Sequence, residues 1–180
     1  MQNPAQTIPH LAIMAVILSL ALTQVPLQVE VPKPEPITLD NLANELIANN
    51  IEHWDVVMAQ AILEAGWEFS SPLFHKTNNF VGMRVPNGRP SMRIGAFRQY
   101  SVYGTWKDCV QDIKLWQDQN WHGGSQGQYI HMMHRIWAQS PDYQRQLSII
   151  TRKMNHRYSK LIVQVNVLKS ALQVNLLLYT

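Results

Sequence analysis

A chain of 180 residues with 46% hydrophobic content can bury one small core. Its net charge of +3, carried without a long run of Lys or Arg, argues against a nucleic-acid partner. The single cysteine, Cys109, excludes an internal disulfide, and its neighbours Val110, Ile113 and Trp116 make it a buried thiol rather than a nucleophile.

Residues 11–22 (LAIMAVILSLAL) form an uncharged apolar run of signal-peptide length, too short by itself to span a bilayer comfortably. No Lys or Arg precedes it, which departs from an ordinary secretory leader. Residues 31–36 (VPKPEP) follow as a stiff, extended spacer. Residues 1–37 therefore form a signal peptide or membrane anchor with its linker, and residues 11–29 would supply any membrane contact. The expectation is an exported protein, periplasmic, in the cell envelope or tethered to a membrane. A helix packed on the core is the alternative.

The folded domain is expected over residues 38–160. Thr38 is an N-cap candidate for a helix over 39–48, with Leu39, Leu42, Ala43, Leu46 and Ile47 on one face. A second helix runs through residues 55–67 (DVVMAQAILEAGW), where Val57, Met58, Ala61, Ile62 and Ala65 recur at helical spacing. Near its end one ionisable side chain, Glu64, interrupts the apolar pattern. A carboxylate set into an apolar wall has its charged form disfavoured, so its pKa rises toward the working pH, as a general acid requires. A glutamate at the rim of a buried helix is the plain alternative.

Residues 80–85 have strand character, and Asn87-Gly88 predicts a hairpin turn, with residues 91–100 as the return. So small a lobe cannot stand alone; it must lean on the helices and leave a cleft. Thr105 opens a helix to residue 119 with Trp106, Val110, Ile113 and Trp116 inward. Further helices are expected over 129–138 and from Ser140-Pro141, the last carrying Tyr143, Leu147, Ile150 and Met154. Residues 161–180, with Lys169 their one charge, mix strand and helix periodicities. A helix covering the domain and a membrane-surface element both fit that segment, and no role is assigned to it.

Three motifs in order, AQAILEAGW, NNFVGMR and FRQY, give the chain a family resemblance. It resembles the glucosaminidase family of peptidoglycan hydrolases, relatives of the flagellar muralytic enzyme within the lysozyme-like superfamily. In that family a helix carrying A-Q-A-x-L-E-[SA]-G-W supplies the acid, N-N-x-[FV]-G-[IM]-[KR] enters a small β-lobe, and F-R-x-Y precedes the next helix. The resemblance covers residues 39–154. It implies an α+β, mostly α fold: a lysozyme-like helical domain with a small antiparallel β-hairpin lobe, and Glu64 as the acid. A Tyr of the family's G-Y-A-T-D-P-x-Y motif contributes to the sugar site. Here the stretch reads IWAQSPDY, so Trp137 stands in its place, keeping a ring and losing a hydroxyl.

Glycoside hydrolysis usually needs a second group opposite the acid, a nucleophile about 5 Å away or a base at roughly 6.5–9.5 Å. Between Phe69 and Trp106 there is no Asp or Glu, and Glu68 is too close in sequence to lie opposite. No protein carboxylate nucleophile is therefore expected. Three readings stay open: attack by the substrate's own 2-acetamido group, water placed by Asn78, Asn79 or Tyr100, or loss of catalysis. The same stretch carries Lys76, Arg84, Arg89, Arg93 and Arg98, with Lys107 just after it, a positive field suited to an anionic polymer. Tyr100, Tyr103, Trp67 and Trp137 are the candidates for stacking on sugar faces, and Arg98 is a further substrate-binding candidate. His131 and His134 stand three residues apart on a helix without a third ligand, so neither a metal nor a cofactor is expected. The expected activity is that of an endo-β-N-acetylglucosaminidase on peptidoglycan glycan strands. A muramidase, a lytic transglycosylase and an inactive, tethered glycan-binding module are the alternatives.

Overall fold

The helices begin where a short polar side chain can satisfy their first free amides. In the computed structural model, which describes residues 35–138 and 140–161 together with 163, 164 and 167, Thr38 accepts from the Asn41 amide and opens α1 (Leu39–Ala48). Helix α2 (Trp54–Ala65) starts instead at His53, which takes a left-handed φ of 49°. Ser71 caps the short α3 (Pro72–Thr77). Thr105 and Asp108 form the reciprocal capping box of α4 (Trp106–Asn120), and Ser125 and Gln128 that of α5 (Gln126–Trp137). Helix α6 (Pro141–Arg157) completes the set.

Helix α2 is the centre of the core. Its periodicity predicts one inward face, yet Val56, Ala59 and Gln60 are buried as well as Val57, Met58, Ala61 and Ile62. A helix apolar on every side belongs inside the protein. It packs chiefly on α6 and also on α1, while α5 packs on α6. Cys109 lies fully buried on α4, as its apolar neighbours require.

Two short strands, β1 (Gly95–Phe97) and β2 (Tyr100–Val102), pair antiparallel with Phe97 opposite Tyr100 and Gly95 opposite Val102. On the other edge of β2, Arg84 bridges Tyr100, flanked by bonds from Val85 N to Gln99 O (2.9 Å) and from Ser101 N to Met83 O (3.0 Å). The fold is thus mostly α with a small antiparallel lobe, as expected.

The expected turn is corrected. The hairpin closes at Arg98 and Gln99, with Arg98 at φ 55°, and Asn87-Gly88 lies in the loop between Arg84 and β1. The reason is a tertiary clamp. Arg89 grips Asp112 of α4 with two bonds of 2.9 Å, and the Met92 amide donates to the same carboxylate at 3.1 Å. This pairing draws the loop onto α4 and overrides the local turn preference of Asn-Gly.

Among the described residues no helix is long and apolar enough to cross a membrane. The apolar leader, its spacer through Pro34 and most of the segment 161–180 lie outside the described residues.

Candidate active site

Helix α2 ends at Gly66, where φ of 84° turns the chain and the Gly66 amide still bonds the Ile62 carbonyl at 3.0 Å. Glu64 stands in that last turn and lines a cleft of about 340 Å³, together with Gly82, Arg84, Tyr100, Trp116 and Trp137. Two carbonyl contacts fix the lobe above it. The indole N–H of Trp137 donates to Val81 O at 2.6 Å, and the buried Gln60 amide donates to the same oxygen at 3.4 Å.

Gly82 follows, with φ of 66°. A Cβ at that position would lie 3.6 Å from Glu64 Oε2 and 3.9 Å from Tyr100 Cε1. The glycine lets the loop take a left-handed conformation and lets its backbone lie against the carboxylate and the ring together.

As a whole residue Glu64 is exposed through the cleft mouth, yet the lobe at Gly82 crowds its carboxyl. The crowding decides its titration, because a carboxylate with part of its hydration removed loses stability in the charged form. Burial pushes the Glu64 carboxyl above its ordinary value, and no neighbouring cation offsets it. On α6, Tyr143 has a buried hydroxyl with no hydrogen-bond partner among the described residues. Burial, and then the charge of Glu64, push its phenol up.

Of the residues expected at the site, the structure brings Glu64, Tyr100 and Trp137 together. Trp137 meets Trp116 edge to face, with ring centroids 5.2 Å apart. Asn78 and Asn79 do not line the cleft. Asn78 ends α3 in a left-handed conformation and donates to Tyr103 O and Gly104 O, both at 3.1 Å. Asn79 donates to Met83 O and Ser101 O and accepts from the Met83 amide, so its whole amide holds the loop that presents Gly82. Trp67 stays 47% exposed beyond the end of α2, outside the cleft lining. Arg98 stands at the hairpin turn with its guanidinium 5.5 Å from the Phe97 ring. Tyr103, a stacking candidate, is a core residue whose hydroxyl donates to Asp112 at 2.7 Å.

Sequence reasoning missed Trp116 as a cleft wall and Asp112 as the anchor of the loop. Asp112 carried a readable signal, since it falls on the inward stripe between Cys109 and Trp116. Burial pushes its carboxyl up, but bonds from Arg89 and Tyr103 outweigh that and hold it below the ordinary value. Among the described residues no cluster of three or more His, Cys, Asp or Glu side chains gathers that could hold a metal.

Among curated proteins and among solved structures, none matches this chain. A family model described as "Glucosaminidase: Mannosyl-glycoprotein endo-beta-N-acetylglucosaminidase" matches residues 40–156. That match spans well over half of the 180 residues and includes the helix of Glu64, the lobe and the helices that wall the cleft. The chain belongs to the glucosaminidase family.

Proposed function

We propose that this protein is an endo-β-N-acetylglucosaminidase that cleaves peptidoglycan glycan strands, with Glu64 as general acid and no protein carboxylate as nucleophile. Membership of the glucosaminidase family supports the broader statement, a glycosidase acting on peptidoglycan. One observation carries the finer one: among the described residues lining the cleft, Glu64 is the only Asp or Glu. Asp112 is fully buried and its oxygens are taken by Arg89, Tyr103 and Met92.

Glu64, whose carboxyl burial raises above its ordinary value, gives its proton to the glycosidic oxygen as the C1–O bond breaks. The carbonyl oxygen of the sugar's 2-acetamido group closes on C1 and forms a cyclic oxazolinium. Water then attacks C1, returns a proton to Glu64 and reopens the acetamido group with the original anomeric configuration. The amides of Asn78 and Asn79 are committed to backbone, so of the three neutral candidates read from the sequence Tyr100 is the one in the cleft to place water. Tyr100 and Trp137 serve as walls for the sugar, Trp137 through its ring face because its N–H is held by Val81. Peptidoglycan lies outside the cytoplasm, and export through the apolar leader is part of the proposal.

Mass spectrometry of digested, purified peptidoglycan tests the bond. New reducing-end N-acetylglucosamine is expected, whereas N-acetylmuramic acid or its anhydro form would overturn the assignment. A thiazoline mimic of the cyclised intermediate should inhibit, since such analogues bind more tightly than substrate. No inhibition together with an inverted product would transfer the second role to water beside Tyr100.

A further inference from the structure

The carboxylate-free stretch and its flank carry six cations, and the structure sorts them. Lys107 pairs with Glu35 at 2.8 Å and Glu45 at 3.4 Å. Arg89 is neutralised by the buried Asp112. Lys76 and Arg98 lie by the Phe97 ring, at 5.3 and 5.5 Å, and neither lines the cleft. Arg93 is also outside the cleft lining. Arg84 alone among the six both lines the cleft and makes no ion pair among the described residues.

Its backbone is fixed on the lobe. Arg84 bridges Tyr100, and its carbonyl accepts from Ser101 Oγ at 3.2 Å. Two residues earlier in the chain, Gly82 lies against both Glu64 and Tyr100. An exposed guanidinium is thus rooted beside the position of bond cleavage. It is not the counter-ion of Glu64, since a guanidinium held there would pull the acid down rather than leave it raised by burial.

We propose that Arg84 is a carboxylate-binding subsite of this cleft, selecting glycan strands whose sugar next to the cleaved bond carries an acidic substituent. This rests on the glycan-hydrolase reading given above. Guanidinium and carboxylate match as two parallel N–H···O bonds, and the fork of Arg suits this better than the point charge of Lys. Two sources offer the group on peptidoglycan: the acidic residues of the stem peptide and, where that peptide has been removed, the lactyl carboxylate of the muramic sugar that its amide bond otherwise masks.

The test uses the full chain and three forms of one strand preparation: intact, stripped of stem peptides by an amidase, and amidated at all its carboxylates. The readouts are kcat/KM for wild type and Arg84→Gln, and co-sedimentation of Glu64→Gln with and without Arg84→Gln. Wild type should prefer acidic over amidated strands, and Arg84→Gln should lower that preference about tenfold, the scale of one partly exposed charge pair. Arg84→Lys should restore only part of it. A preference over amidated strands found only on stripped strands assigns the lactyl carboxylate, which amidase cleavage frees; one found on intact strands and lost with the peptide assigns the stem, and one found on both means the subsite takes either carboxylate. An unchanged ratio in Arg84→Gln overturns the subsite. Should no strand be cleaved, the hydrolase reading fails, and co-sedimentation still decides whether Arg84 recognises carboxylates.

Discussion

Two carboxylates face the same small lobe from two helices, and their surroundings drive them in opposite directions. Glu64 on α2 meets Gly82, which has no side chain to offer, and burial raises it without a compensating donor. Asp112 on α4 is more deeply buried, yet Arg89, Tyr103 and the Met92 amide overcome the cost and hold it ionised. Burial alone therefore does not make an acid catalyst. The number of donors aimed at the carboxylate decides whether it keeps a proton to give or becomes a fixed anchor.

The two carboxylates differ most in what the protein loses when each is removed. Glu64→Gln should retain its fold and glycan binding while losing roughly 10²–10⁴-fold or more of kcat, the scale of a general acid. A variant within threefold of wild type would take Glu64 out of the mechanism. Asp112→Asn should act on stability instead, because it leaves the Arg89 guanidinium with a neutral partner in a site where its side chain is 9% exposed. A loss of about 3–5 kcal/mol in denaturant unfolding is expected, the cost of breaking a buried pair from one side. Unfolding at the wild-type midpoint would show that the loop is held elsewhere.

Much of this was legible in the sequence. Caps at Thr38 and Thr105 and the apolar spacing of α2 signal the helices, and Glu64 stands out as the charge in an apolar wall. The hairpin was misplaced because Asn-Gly is a local preference, whereas the Arg89–Asp112 clamp joins residues 23 apart in sequence. Asn78 and Asn79 drew attention as polar residues in a motif, but a motif does not reveal whether an amide turns toward substrate or backbone. Trp116 and Arg84 reach the cleft only through the packing of α4 and the pairing with Tyr100.

The two carboxylates also answer to pH in opposite directions. Glu64 is raised, so its active protonated form is present below its folded value, and rate should fall on the alkaline side, up to tenfold per pH unit. Without a second essential carboxylate the acid limb should be absent wherever folding is intact. Asp55, at the other end of α2, is also raised, chiefly by burial, so Asp55→Asn is the control and must keep the alkaline limb. Asp112 carries the opposite sign. Its folded value is depressed, so its contribution to stability is present above its unfolded value of about 3.9 and fades as pH falls through the folded one. Acid unfolding of wild type and Asp112→Asn should therefore converge at low pH, and curves that stay parallel would contradict the linkage.

The smallest effect separates two glycines of the same lobe. Gly82 and Gly88 both have left-handed φ, 66° and 79°, so alanine at either should cost about 1–2 kcal/mol of backbone strain. They differ in what the added methyl meets. At Gly88 nothing lies within 4 Å, and Gly88→Ala should lose stability alone. At Gly82 the methyl would stand 3.6 Å from Glu64 Oε2, an ordinary contact rather than a clash, where it would displace water from the acid. Further desolvation raises a carboxyl, so Gly82→Ala should move the alkaline limb of kcat/KM upward while Gly88→Ala leaves it in place. Matched denaturation midpoints with the same pH limb in both variants would mean that Gly82 serves only the turn.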